Sequence, residues 1–197
     1  MKPVQQDPGP RASLAALRRG EEVFDDNFDR VFSESARELS GNHWTPVWIA
    51  IKAAKLLAVR PQTRVLDVGC GAGKFCLVGA LATSGSFFGI EQHGELVAEA
   101  ATICRTYGIG GAQFFHGNMT TIDWRSFDAF YLFNPFYESR PTFGEYVEFV
   151  RNQLATLAIG TRVVLYQGFG GTMPDCYTLS RREIPGTDFL NLWIKSR

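Results

Sequence analysis

Short apolar runs alternate with helical patterns from about residue 64 to residue 167. The runs RVLDV at 64–68 and SFFGIE at 86–91, for example, are separated by the helical pattern KFCLVGALA at 74–82. Strands connected through helices pair in parallel, with helices on both faces of the sheet. Residues 176–196 instead hold two strand-like runs around IPGTD with no helix between them. We therefore predict an α/β fold with a doubly wound, mostly parallel sheet and an antiparallel C-terminal hairpin.

The first 44 residues precede this pattern and form two further segments. Residues 1–19 are rich in proline and polar groups, which predicts a flexible N-terminus. Residues 20–44 are predicted to form a helical extension or lid, with one helix over 21–39. Its apolar stripe consists of Phe24, Phe28, Val31, Phe32 and Leu39. The main domain, 45–197, is predicted to open with a helix over 46–58 that has Thr45 as its N-cap.

Charge and composition narrow the choice of partner. Twenty basic and twenty acidic residues give a net charge of zero, so no overall field attracts nucleic acid or a membrane. We therefore rank nucleic acid below a protein or small-molecule partner, although Arg181 and Arg182 could contribute to a local basic patch. No segment has the length and apolarity of a membrane span or a secretory signal, and we expect a cytoplasmic protein.

Cysteine and histidine placement predicts no metal site. The cysteines show no C-x-x-C pair and no zinc-ligand spacing, so we expect small buried hydrophobic side chains in a reducing compartment. The histidines, which are His43, His93 and His116, are scattered and expected to be structural or on the surface.

A glycine-rich turn follows the first predicted strand in VLDVGCGAGKF, residues 65–75. A triphosphate loop would need glycine five positions before Gly73 and a hydroxyl residue after Lys74, and neither is present. In the dinucleotide pattern G-x-G-x-x-G the third glycine would fall one position later. Lys74 is then interpreted only as the first residue of a helix.

The stretch VLDVGCGAG resembles the first motif of the class I S-adenosylmethionine-dependent methyltransferases, in which an acid precedes G-x-G-x-G after the first strand. The resemblance extends over about residues 45–167 and implies a seven-stranded sheet and S-adenosylmethionine as the cofactor. It places Asp67 at the methionine end of the cofactor, while Gly69, Gly71 and Gly73 let the backbone approach the ligand. An anionic partner for the ligand's ammonium group is physically reasonable for a site without phosphate.

The same resemblance assigns further residues to the cofactor. Glu91, at the end of the second strand with Gln92 beside it, is expected to hold the ribose hydroxyls. Asn118 and Met119, in the turn after the third strand, are expected to reach the adenine.

The fourth strand ends in YLFNPFYESR, which is similar to the [DN]-P-P-[YFW] motif of amino-methylating members of this family, with Phe136 in place of the second proline. The similarity implies catalytic roles for Asn134, Pro135 and Tyr137, with Asn134 also at the cofactor. The Asn134 amide oxygen and the Pro135 carbonyl would accept hydrogen bonds from the acceptor nitrogen, and Tyr137 would pack on the acceptor. In the alternative interpretation, Asn-Pro simply ends a strand.

The predicted activity is methylation of a nitrogen on a protein side chain or a small molecule. Trp44 and Trp48 are candidates for the wall of the acceptor pocket, although the helical spacing of Trp48 favours core packing. Two alternatives stay open: a non-catalytic cofactor-binding subunit that docks a partner through its N-terminal helices, and an NAD-dependent oxidoreductase. The oligomeric state is not predicted.

Overall fold

The computed structural model of the chain describes residues 9–40, 44–135, 141–183 and 189–197. Its centre is one sheet of seven strands in the order β3-β2-β1-β4-β5-β7-β6. The strands are β1 Arg64–Val68, β2 Ser86–Glu91, β3 Ala112–His116, β4 Ala129–Phe133, β5 Arg162–Tyr166, β6 Tyr177–Arg182 and β7 Leu190–Lys195. Strands β1 to β5 pair in parallel, whereas β7 lies antiparallel between β5 and β6. The predicted fold class is confirmed.

Helices cover both faces of this sheet. They are α1 Pro10–Arg18, α2 Asp25–Phe28, α3 Glu34–Ser40, α4 Val47–Leu57, α5 Lys74–Ala82, α6 Gly94–Tyr107 and α7 Phe143–Thr156. Successive strand residues point to opposite faces: Val65 packs in the core that includes α4 and α5, and Leu66 packs in the core that includes α7. This two-sided burial explains why the central strands read as continuous apolar runs.

The N-terminal segments differ from the prediction. Residues 10–18 form α1 instead of a flexible terminus, because Leu14 and Leu17 lie on one side of the helix and are buried. Pro10 occupies the first turn, where its missing N–H is not needed. The single helix predicted over 21–39 is replaced by α2, a 3₁₀ turn at Asp29–Val31, and α3.

The start of α4 also differs from the prediction. Thr45 is not its N-cap: the Thr45 hydroxyl is 2.9 Å from the Tyr131 hydroxyl. The backbone N–H of Val47 instead donates to the carboxylate of Asp25, at 2.9 Å. A carboxylate from a remote helix therefore satisfies one of the first N–H groups of α4, which sequence spacing alone does not reveal. No helix in the described ranges is both long and apolar enough to cross a membrane.

Candidate active site

A pocket of about 580 Å³ opens at the carboxyl ends of β1, β2 and β4. This edge of an open α/β sheet is where ligands bind, since the connections diverge there. The volume lies within the range of small-molecule and cofactor sites.

The glycine turn that follows β1 forms the floor of the pocket. Gly73 has φ +80° and precedes α5, and a Cβ atom there would collide with the Phe114 ring. Gly69 has φ +75°, and a Cβ atom there would lie 3.1 Å from the Cβ of Pro135. Glycine is therefore required both for the backbone conformation and for close packing. The turn also contacts the end of β4, which carries the predicted acceptor loop.

Asp67 is the most deeply buried acid of the pocket, with 4% of its surface exposed. Burial, which the negative charge of Glu91 reinforces and a hydrogen bond from Cys76 opposes, raises the pKa of Asp67 to about 8. The Cys76 thiol donates to Oδ2 of Asp67 over 3.7 Å. Among the described residues no cation is paired with this carboxylate. A cationic ligand group would supply the missing partner.

Glu91 at the end of β2 is held by two backbone donors. Its Oε2 accepts from the N–H of Gly71 at 3.0 Å, and its Oε1 accepts from the N–H of His93 at 2.9 Å. Each carboxylate oxygen has further acceptor capacity after these bonds. A fixed carboxylate on the pocket wall fits a pair of ribose hydroxyls, and the arrangement therefore fits the predicted cofactor.

The structure brings together most of the predicted cofactor residues, and their roles stay predictions. The pocket is lined by Asp67, Gly69, Gly71, Glu91, Gln92, Met119 and Asn134. Gly73 and Asn118 are not among the lining residues. The Asn118 side chain accepts from Thr120 N–H and donates to the Tyr146 hydroxyl, each at 3.0 Å. Asn118 therefore positions Tyr146, which does line the pocket.

Lys74 has a larger role than that of a helix start. It is the first residue of α5, but its side chain is only 4% exposed, and Nζ lies 2.6 Å from Oδ1 of both Asp25 and Asp29. The ammonium group is also 5.1 Å from the centre of the Trp44 ring. Burial of Asp29 raises the pKa of that carboxyl, against the opposing effect of Lys74. Lys74 thus anchors the N-terminal segment to the pocket.

The two candidate tryptophans have different environments. Trp44 lines the pocket beside Lys74, which is consistent with its interpretation as part of the pocket wall. Trp48 is 53% exposed, so the prediction that it packs in the core is wrong. Sequence spacing places Trp48 on α4 but does not show which face of the helix is covered by the rest of the protein.

The end of β4 carries the acceptor candidates. Asn134 has φ +36°, and its N–H donates to the Gly168 carbonyl at 2.9 Å. Asn134 and Pro135 line the pocket together with Phe143 and Tyr146 of α7, which the sequence did not single out. Tyr137, Phe136 and His43 lie outside the described residues.

A family model described as methyltransferase domain matches residues 60–158 of the chain. The chain belongs to the methyltransferase domain family. Its seven-stranded sheet and its structural neighbours confirm the predicted class I fold and S-adenosylmethionine as the cofactor of this fold. The oxidoreductase alternative has no support from these findings.

Both the sequence and the structure of this methyltransferase domain are similar to those of named methyltransferases. A 70-residue segment is 37% identical to the 23S rRNA (uracil(1939)-C(5))-methyltransferase RlmD of Shewanella sediminis, over 35% of this chain and 15% of the relative. TrmN from Thermus thermophilus superimposes with a TM-score of 0.61 at 21% identity, over 82% of this chain and 52% of that chain. An RNA methyltransferase from Salinibacter ruber, in complex with S-adenosyl-L-homocysteine, has a TM-score of 0.58 at 21% identity, over 77% and 93%. The chain thus spans about half or less of the first two relatives.

These relatives contradict the predicted ranking of partners, in which nucleic acid stood below protein or a small molecule. The curated relative is named for methylation of 23S rRNA, and one structural neighbour is named as an RNA methyltransferase. The ranking was wrong because it rested on net charge, which averages over the whole surface and does not describe the charge beside the pocket.

Proposed function

We propose that this methyltransferase domain transfers a methyl group to a nitrogen of an RNA base. The observation that carries the proposal is Asn134, whose left-handed backbone at the end of β4 lines the same pocket as Asp67 and Glu91. The RNA methyltransferases among the relatives support a nucleic acid as the acceptor.

The cofactor, when bound, supplies an electrophilic methyl group on a sulfonium. Asp67 would hold the ammonium of its methionine end, and Glu91 its ribose hydroxyls. Both acids are positioned before binding, Asp67 by burial and Glu91 by two backbone hydrogen bonds. Preorganised groups of this kind lower the entropic cost of binding.

The acceptor side has a different task, which is to orient a base. The Asn134 amide oxygen is suited to accept a hydrogen bond from an exocyclic amino group, which fixes the direction of the nitrogen lone pair. Phe143 and Tyr146 offer flat surfaces on which a base can stack. Asn118 holds Tyr146 through its hydroxyl at 3.0 Å.

The cysteine chemistry of the pocket favours nitrogen over carbon as the acceptor atom. A ring carbon such as C5 of uracil has no lone pair, so its methylation benefits from a thiolate that adds to the ring. Cys70 lines the pocket, but its burial raises the pKa of its thiol well above the ordinary value. The thiol therefore stays protonated at neutral pH, and thiolate is the reactive form.

The experiment combines cofactor binding with methyl transfer. We expect calorimetric binding of S-adenosylhomocysteine and incorporation of tritiated methyl groups into ribosomal or transfer RNA, with N-methylated nucleosides after digestion. Asn134→Ala should keep S-adenosylhomocysteine affinity within threefold and lower turnover by about 10²-fold, because the acceptor is no longer oriented.

Gln167→Asn is the matched control for Asn134→Ala. Gln167 has φ +57° at the end of the neighbouring β5 and does not line the pocket. The turnover of Gln167→Asn should therefore equal that of the wild type. C-methylated nucleosides, or full turnover in Asn134→Ala, would contradict nitrogen transfer. Absence of methyl transfer to any RNA would instead favour the non-catalytic subunit.

A further inference from the structure

Exposed aromatic and basic side chains lie together on α4 and at the end of the C-terminal strand pair. Trp48 is 53% exposed and Phe189 is 50% exposed. Lys52 follows Trp48 by four residues, so the two side chains share one face of α4. We call Trp48, Lys52, Arg181 and Phe189 the aromatic-basic rim.

Contacts connect the members of this rim. Lys52 Nζ lies 3.4 Å from Oε2 of Glu183, and Arg181 Nη1 lies 3.2 Å from Oε1 of the same carboxylate. The Glu183 N–H donates to the Leu190 carbonyl at 2.9 Å, next to Phe189. Through these contacts Glu183 connects α4 to the end of β6 and to the start of β7.

Among the described residues, the exposed charges of this surface are mainly positive, and Asp188 lies outside the described residues. The Glu183 side chain is only 10% exposed, whereas those of Lys52 and Arg181 are 45% and 63% exposed. Arg182 is exposed as well. A chain of zero net charge thus has a local cationic surface, which is complementary to phosphates.

The rim lies at the carboxyl ends of the parallel strands, which is also where the pocket opens. β6 and β5 are both antiparallel to β7, so the carboxyl end of β6 is on the side of the carboxyl end of β5. The Phe189 carbonyl accepts from Gln167 N–H at 2.8 Å, and the Gly168 carbonyl accepts from Asn134 N–H at 2.9 Å. Two backbone hydrogen bonds therefore connect the rim to the predicted acceptor loop.

Another exposed aromatic residue, Phe24, shows why the rim is distinct. Phe24 is 65% exposed and precedes Asp25, which accepts from the N–H of Val47 beside Trp48. The exposed charged residues within three positions of Phe24 are the acids Glu21, Glu22 and Asp26, of which Glu21 is paired with Arg19 at 2.6 Å. The acids Glu22 and Asp26 disfavour phosphates beside Phe24, so Phe24 has an exposure similar to that of Trp48 in a less favourable electrostatic setting.

We propose that the aromatic-basic rim binds an unpaired RNA segment that flanks the methylated base. This inference rests on the proposed function. Bases stack on Trp48 and Phe189, and phosphates contact Lys52 and Arg181. Aromatic side chains among cations are suited to single strands, because unstacked bases expose the faces that a duplex hides.

The test measures RNA affinity by fluorescence anisotropy with S-adenosylhomocysteine present. The probes are a fluorescein-labelled 12-nucleotide unpaired RNA and the same sequence annealed into a duplex. We expect the single strand to bind at least tenfold more tightly than the duplex. Trp48→Ala should weaken single-strand binding about tenfold, because one base loses its stacking partner. Lys52→Gln and Arg181→Gln should each reduce the slope of log affinity against log salt by about 0.7.

Two matched controls accompany these variants. Phe24→Ala removes an aromatic ring of similar exposure in acidic surroundings, and Arg125→Gln removes an exposed cation that precedes β4, at the opposite edge of the sheet. Both should bind RNA as the wild type does. Calorimetric S-adenosylhomocysteine affinity checks the fold of every variant, since none of them lines the cofactor pocket.

Several results would overturn the rim as an RNA site. They are equal affinity of Trp48→Ala and Phe24→Ala, equal or tighter binding of the duplex, and light scattering that shows Trp48→Ala converting a dimer into a monomer. RNA methylation that Trp48→Ala leaves unchanged would remove the rim and keep the proposed function. RNA binding at the rim without methylation of any RNA would support the rim and contradict the proposed function.

Discussion

The two sides of the pocket differ in how firmly their polar groups are held. On the proposed cofactor side, Asp67 is 4% exposed and the Glu91 carboxylate accepts from two backbone N–H groups. On the proposed acceptor side, Asn134 is exposed, and its backbone N–H donates one hydrogen bond to the Gly168 carbonyl. Many enzymes share one cofactor, and rigid groups can bind it in all of them. Acceptors differ between enzymes, so the groups that bind them face solvent and neighbouring surfaces.

The strongest test of this contrast removes the buried acid. Asp67→Ala should weaken S-adenosylhomocysteine binding by about 10³-fold, because a buried charge partner of the ligand's ammonium is lost. Calorimetry measures the change. Asn134→Ala is the comparison variant, and its affinity should stay within threefold of the wild type. If both variants weaken binding equally, the division into two sides is incorrect.

A pH series tests the protonation of the same acid. Because the pKa of Asp67 is raised to about 8, the free protein holds a proton there at neutral pH, and the ligand's ammonium favours the ionised form. Affinity for S-adenosylhomocysteine should therefore rise about 50-fold from pH 6 to pH 8. Calorimetry in buffers of different ionisation enthalpy should detect proton release on binding. Asp67→Asn should show a much flatter profile, and an equally steep one would contradict the assignment to Asp67.

The sign of the effect on unfolding follows from the same shift. An unfolded aspartate has a pKa of about 3.9, so the native state binds the extra proton between about pH 4 and pH 8. This contribution to the free energy of unfolding is complete below pH 4 and is lost as the pH rises toward 8. Asp67→Asn should abolish that decline in the ligand-free protein, as measured by urea unfolding.

A smaller effect is expected where the N-terminal segment meets the pocket. Lys74→Met should lower the free energy of unfolding by about 2 kcal/mol, since it leaves two carboxylates without their cation. The value lies below that of a fully buried pair because Asp25 and Asp29 are 39% and 22% exposed. S-adenosylhomocysteine affinity should also fall severalfold, because Trp44 loses the ammonium group beside its ring.

Lys52→Met provides the control for Lys74→Met. Lys52 is 45% exposed and pairs with Glu183 at 3.4 Å, so its loss should change stability by less than about 0.5 kcal/mol. Urea unfolding of the two variants gives the comparison. Equal stabilities would show that the partly buried triad of Lys74, Asp25 and Asp29 contributes no more stability than a surface pair.

The agreement between sequence and structure is closest around the glycine turn. The runs RVLDV, KFCLVGALA and SFFGIE match β1, α5 and β2 to the residue. Each boundary there has a local cause, since Gly73 can adopt φ +80° and apolar periodicity changes from strand to helix at that point. Local chemistry of this kind is readable without knowledge of any distant contact.

The contacts around the pocket that the sequence did not reveal involve partners far away in the chain. Lys74 was interpreted as a helix start because Asp25 and Asp29 precede it by more than 40 residues. The Asn118 amide donates to the Tyr146 hydroxyl, 28 residues away, a contact that sequence spacing does not reveal, and its role at the adenine stays a prediction. Trp48 was expected in the core, although α4 turns this side chain toward solvent beside the C-terminal strands.

The sequence by itself determined the parallel sheet, the glycine turn and the acids at the ends of β1 and β2, because these depend on residue type at short spacing. The tertiary structure decided which charges are buried together, which aromatic rings remain exposed and where cations collect on a neutral chain. Burial and electrostatic pairing depend on distances between elements that lie tens of residues apart, and those distances exist only after the sheet and helices have packed.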